Sequence, residues 1–105
     1  MSEQQWTRVA AITDCAPGHG LEVVAKGRIV ALFNVDGTFH ALDGICPHQS
    51  GPLGKGALTG CVVTCPWHGW QFDVQTGQHQ INPALQHESF DVRVEEGEVY
   101  VALPG

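Results

Sequence analysis

The stretch Arg28-Ile29-Val30-Ala31-Leu32-Phe33-Asn34-Val35 decides how the chain folds. Ile29 to Phe33 is apolar without a break, so it reads as a strand buried on both faces, or central in its sheet. Lys26-Gly27 precedes it and Asp36-Gly37 follows it. Two-residue turns ending in Gly are strong hairpin signals. The neighbours on either side, Leu21 to Ala25 and Thr38 to Leu42, then read as its antiparallel partners. Further out, Trp6 to Ile12 reads as a first strand. Asp14 to Gly20, with Pro17, Gly18 and Gly20, reads as a loop. At the other end Phe90, Val92 and Val94 alternate with Asp91, Arg93 and Glu95. Glu96-Gly97 turns the chain, and Val99, Val101 and Leu103 alternate with Tyr100 and Ala102. Period two in both arms predicts one face in and one face out. No window shows a helical stripe. The expectation is an all-β fold of short antiparallel strands, with residues 1–105 as one domain.

Composition sets the outer bounds. The chain has 105 residues, and 43% of them are hydrophobic, which marks a globular chain. Eleven acidic residues against five basic ones give a formal charge of −6. Such a surface repels phosphate backbones, so nucleic acid is not an expected partner. No apolar run approaches the roughly 20 residues of a membrane helix. Met1 to Trp6 lacks the basic and apolar regions of a secretory signal. A cytoplasmic, membrane-free protein is expected, where clustered Cys favour metal over disulfide. Four Cys and six His in so short a chain ask for that metal.

The middle of the chain supplies it. Ile45 to Gly60 is rich in Gly and Pro, and Cys65 to Trp70 is a second dense loop. A strand over Gly60 to Thr64 is expected between them. The first loop carries Cys46-Pro47-His48 and the second carries Cys65-Pro66-Trp67-His68, with sixteen residues between. Each loop gives one thiolate and one imidazole. Zinc accepts two Cys and two His, but its usual spacing pairs Cys with Cys and His with His. A binuclear iron–sulfur centre with two His on one iron suits one Cys and one His per loop better.

The strings Cys46 to Leu53 and Cys65-Pro66-Trp67-His68-Gly69-Trp70 resemble the two cluster-binding boxes of the Rieske family. The resemblance covers most of the chain and is nearest to the soluble Rieske-type ferredoxins. It implies stacked antiparallel sheets with an inserted cluster-binding subdomain, here about residues 45 to 70. It implies one [2Fe–2S] cluster per chain, with Cys46 and Cys65 on the inner iron and His48 and His68 on the outer. Gln80 to Ala84, with Pro83, matches the third loop that covers the cluster. It also implies a one-electron carrier without substrate chemistry of its own. Such a carrier links an NAD(P)H-dependent flavoprotein reductase to a terminal, often aromatic-ring-hydroxylating, oxygenase. The docking patch would comprise Pro47, Gln49, Gly51, Pro66, Trp67, Gly69 and Pro83. Two other readings stand beside it: the Rieske-like small subunit of an assimilatory nitrite reductase, and a zinc-stabilised binding module.

Departures from the family pattern carry information. Membrane-complex members have two extra Cys that tie the loops; Gly51 and Trp67 stand there. They also have a Ser and a Tyr whose hydroxyls donate to cluster sulfurs; Trp70 and Phe72 stand there. Fewer donors to the reduced cluster imply a low potential. The first box reads Cys46-Pro47-His48-Gln49, where many of these ferredoxins have Cys-Thr-His-Gly. Cys15 and Cys61 read as non-ligands, Cys61 as a buried thiol on the face of Val63. His19, His40, His79 and His87 read as surface or turn residues. Gly51 and Gly69 are expected to admit close backbone approach. The acidic run Glu95, Glu96, Glu98 reads as a solvated hairpin end.

Overall fold

The computed structural model describes residues 4–45, 51–67, 69–82 and 84–104. Ten strands follow in chain order: β1 (Gln4–Ala11), β2 (His19–Ala25), β3 (Arg28–Val35), β4 (Thr38–Asp43), β5 (Ala57–Thr59), β6 (Val62–Thr64), β7 (Gln71–Asp73), β8 (Ser89–Phe90), β9 (Val92–Glu95) and β10 (Glu98–Pro104). Two single-turn 3₁₀ segments, Ile12–Asp14 and Leu53–Lys55, complete the elements, and no α-helix occurs among the described residues. The strands make three antiparallel sheets, ordered β1-β10-β9, β2-β3-β4-β8 and β5-β6-β7. The all-β expectation holds.

β3 is the middle wall. Val30, Ala31, Leu32 and Phe33 are all 0% exposed. Successive side chains point to opposite faces, and the packing divides the same way. Val30 and Leu32 join a core with Ala10, Phe39, Ala41, Phe90, Val99, Val101 and Leu103, which fills the space toward the β1-β10-β9 sheet. Ala31 and Phe33 join a second core with Leu42, Leu53, Val63, Cys65, Phe72 and Val74, toward the β5-β6-β7 sheet. X-Gly turns close three of the hairpins. Lys26-Gly27, Asp36-Gly37 and Glu96-Gly97 all have positive φ at both residues, the conformation whose twist matches that of the flanking strands. Asn34 supports the second of these turns, since its Oδ1 accepts from Gly37 N at 2.7 Å.

Several details differ from the sequence reading. The first strand stops at Ala11, because Asp14 Oδ2 accepts the Ala11 N–H at 2.9 Å and bends the chain into a 3₁₀ turn. β2 starts two residues early, at His19. The expected strand through Phe90 to Glu95 breaks at Asp91: Phe90 pairs with β4, and Val92 onward pairs with β10. The Asp91 carbonyl is taken by Ala102 N at 2.9 Å, so the chain changes sheets there. Val94 is 45% exposed because β9 is an edge strand, whereas Ala102 is buried. The expected strand over Gly60 to Thr64 is instead the turn and second arm of the β5-β6 hairpin. Gly60 has φ +59°, and Cys61 sits in the turn, half-buried, with its Sγ accepting from Gln75 Nε2 at 3.3 Å. β7 has three residues, too few to show a period.

Gly77 closes the connection between β7 and β8. Its N–H donates to Asp73 O and its carbonyl accepts from His87 N, both at 2.7 Å. With φ +81°, any Cβ there would run into the His87 carbonyl. Gly97 has φ +78° but open space around it. Gly97→Ala should therefore cost about 1 kcal/mol, the left-handed penalty alone. Gly77→Ala should cost roughly 3 kcal/mol, because overpacking adds to the same penalty. Denaturant unfolding of both variants checks this, and equal losses would contradict the steric account.

Candidate metal centre

The first loop rises from well-fixed feet. Gly44 N donates to Ile29 O at 3.0 Å, and Ile45 N donates to Asp43 Oδ1 at 2.9 Å. Across the loop, Ile45 and Pro52 form an antiparallel bridge, and Leu53 N donates to Gly44 O at 3.0 Å. The two ends of the loop are thus drawn together at the end of β4. Gly51, its last residue before Pro52, is buried.

The second loop leaves β6 at Cys65. Cys65 N donates to Trp70 O at 2.7 Å, which closes a tight turn before β7 begins. The Cys65 side chain is 1% exposed and belongs to the second core. Pro66 and Gly69 are exposed, and Trp67 is 50% exposed. The turn therefore presents a buried thiol inside and an open rim outside.

The two loops meet at Gly51. A Cβ on Gly51 would lie 2.7 Å from Cys65 Sγ and 3.2 Å from Trp67 Cβ. Only a residue without a side chain leaves that thiol clear. Positions 51 and 67 thus face one another across the two loops. A thiol held in an apolar pocket, with backbone cleared beside it, fits a sulfur-ligated cluster. Of the four expected ligands, Cys65 is described. Cys46, His48 and His68 lie outside the described residues, as do Pro47, Gln49 and Pro83.

The remaining Cys and His sort differently from expectation. Cys15 and Cys61 are free thiols. Cys15 is buried in the first core, donates to His19 O at 3.3 Å, and has its thiol pKa pushed up by burial. His19 is exposed. His40, half-buried on β4, has its pKa lowered by burial, partly countered by Asp73. His79 and His87 are not surface residues: each is 8% exposed. His87 Nε2 donates to Asp43 O at 2.8 Å. His79 Nδ1 accepts from Ile81 N and Asn82 N, each at 3.1 Å. Both rings pack on Phe72, at 5.3 Å for His79 and 5.4 Å for His87. His79 also meets Trp70 edge-on at 4.8 Å. Their only signal in the sequence was position: both follow β7 in the Gly- and Pro-containing return toward β8.

Comparison with known proteins agrees with this arrangement. Residues 5–101 match the family described as Rieske [2Fe-2S] domain. Ferredoxin CarAc of Metapseudomonas resinovorans is 39% identical over 101 residues, covering 94% of each chain. A solved complex of reduced oxygenase and oxidised ferredoxin in carbazole 1,9a-dioxygenase contains a chain 38% identical to this one. The two superpose with a TM-score of 0.85 over 95% of this chain and 94% of that one. A structure described as an NADH-dependent nitrite reductase small subunit from Mycobacterium tuberculosis is 28% identical. Its TM-score is 0.88, with 96% of each chain covered. The chain belongs to the Rieske [2Fe-2S] domain family.

Proposed function

We propose that this chain is a one-electron carrier, the ferredoxin component of an oxygenase system. The observation that carries it is the junction of Gly51 with Cys65 Sγ, where a buried thiol and a cleared backbone meet at the base of two loops. What supports it further is end-to-end similarity to ferredoxin components, CarAc among them. Cys46 and Cys65 would hold one iron of the [2Fe–2S] cluster, and His48 and His68 the other. Bound there, the cluster supplies reversible one-electron chemistry. The chain's own part is to seat the cluster and to present a rim. Cys65 fixes the inner side against Val63 and Phe72. Trp67, Pro66 and Gly69 stay exposed beside it, where protein partners can approach. An NAD(P)H-dependent flavoprotein reductase would deliver electrons and a terminal oxygenase would take them. The carrier itself performs no bond chemistry on a substrate and works in the cytoplasm. No helix among the described residues is long and apolar enough to cross a membrane.

The nitrite reductase small subunit is the second reading, favoured by the TM-score of 0.88. Co-purification with a large sirohaem protein would support it, and electron delivery to an oxygenase would oppose it. The zinc-module alternative loses its ground with the family assignment.

Three outcomes test the carrier. The purified protein should be reddish-brown and give a rhombic EPR signal on reduction, with a potential below zero at neutral pH. That places it in the lower part of the roughly −150 to +300 mV Rieske range. His48→Cys or His68→Cys replaces a neutral ligand by an anionic one and should lower the potential wherever the cluster survives. An unchanged potential in both would reject the ligand assignment. Gly51→Ala should sharply reduce the iron and sulfide content per chain. Gly60→Ala, at a position with nothing within 4 Å of a Cβ, should keep both.

A further inference from the structure

His79 holds the return segment in place through one atom. Its Nδ1 accepts two backbone N–H groups, those of Ile81 and Asn82. A nitrogen that accepts has no hydrogen, so the neutral ring carries its proton on Nε2. That Nε2 is buried and has no hydrogen-bond partner among the described residues.

Backbone bonds close the segment it caps, and Asn82 Oδ1 accepts from Ala84 N at 3.1 Å. His79 N donates to Leu85 O and Leu85 N to Asn82 O, each at 3.0 Å, so the ends close on one another. Gln80 N reaches Gln71 O on β7 at 3.0 Å. Ile81, at the outside of the turn, is 84% exposed and supplies no packing to hold it. The two N–H groups on Nδ1 fix the orientation of this turn relative to Trp70. Trp70 in turn closes the Cys65 loop through its carbonyl. Its indole and Phe72 meet the His79 ring at 85° and 90°.

We infer that His79 is a positioning residue, which locks the Ile81–Asn82 turn against the Cys65 loop and thereby sets the surroundings of the cluster. The inference rests on the proposed role of Gln80 to Ala84 as the segment beside the cluster. It adds an assignment: the imidazole acts as an acceptor cap, as an Asn side chain does in an Asx turn.

Two variants separate the acceptor from the ring. His79→Phe keeps a ring and loses the acceptor. His79→Asn keeps an acceptor two and three residues before the same N–H groups and loses the ring. Hydrogen exchange at the Ile81 and Asn82 amides should speed up about tenfold or more in His79→Phe, from the loss of two hydrogen bonds. It should stay within a few-fold of the parent in His79→Asn. In the loaded protein, the reduction potential and EPR g values should move in His79→Phe and stay near the parent in His79→Asn. Thermal unfolding of each variant reads lost packing separately. Parent-like exchange in His79→Phe would overturn the cap. Faster exchange with unmoved potential and g values would overturn its link to the cluster while leaving the carrier reading intact. Like behaviour of both variants would overturn the assignment to the acceptor. Failure of the carrier reading shows instead as a parent protein without cluster.

Discussion

Burial of β3 on both faces is the constraint from which the rest of the architecture follows. An uninterrupted apolar strand must be covered twice, and each fully buried Val, Leu or Phe side chain contributes about 1.5–3 kcal/mol. Val30 and Leu32 are covered by β10 and β1, Ala31 and Phe33 by the sheet of residues 57–73. The middle sheet thus separates two cores of different purpose. The first holds only apolar side chains and the inert Cys15. The second ends in Cys65, so the hydrophobic packing that stabilises β3 also fixes the Cys65 thiol.

Asp43 links this scaffold to the loops. It is the last residue of β4 and stands opposite Val30 in register. Its Oδ1 holds the foot of the first loop at Ile45, and its Oδ2 accepts from Arg28 at 3.0 Å. Its N–H reaches Glu88 O and its carbonyl accepts from His87. Arg28 also pairs with Glu88 and covers the Phe90 ring at 4.8 Å. The start of the first loop and the return into β8 are therefore tied to one residue. Loops that carry function need such a rigid base, since their own backbone makes few ladder bonds.

How much of this the sequence disclosed follows from the range of each signal. β3 and its two hairpins were legible because turn and strand signals are local: Lys26-Gly27 and Asp36-Gly37 bracket an apolar run. The spacing from Cys46 to His68 was equally local, and it carried the family resemblance. The break at Asp91 was not legible, because Phe90, Val92 and Val94 keep period two while the chain changes sheets. What decides there is which sheet is nearby. Val94 reads as core by pattern and is exposed because no element covers the edge of β9. His79 and His87 were misjudged because burial of a His depends on distant acceptors and donors. The carbonyl of Asp43, forty-four residues away, decides His87.

The surroundings of Cys65 also bear on how the site treats charge. Its neighbours in the second core are Ala31, Phe33, Leu42, Leu53, Val63, Phe72 and Val74, none with a charged or hydroxyl-bearing side chain. Phe72 is 0% exposed and offers no donor. Extra negative charge beside Cys65 would meet low polarisability on the inner side. Among the described residues, Pro66, Trp67 and Gly69 are the exposed rim beside it. The chain's formal charge of −6 acts in the same direction, though charges beyond about 8 Å are largely screened at physiological salt. The inner packing that makes the thiol site rigid is thus the same packing that disfavours added electron density there. A cluster held at Cys65, as proposed, would hold its electron loosely, which is what a donor to another protein requires.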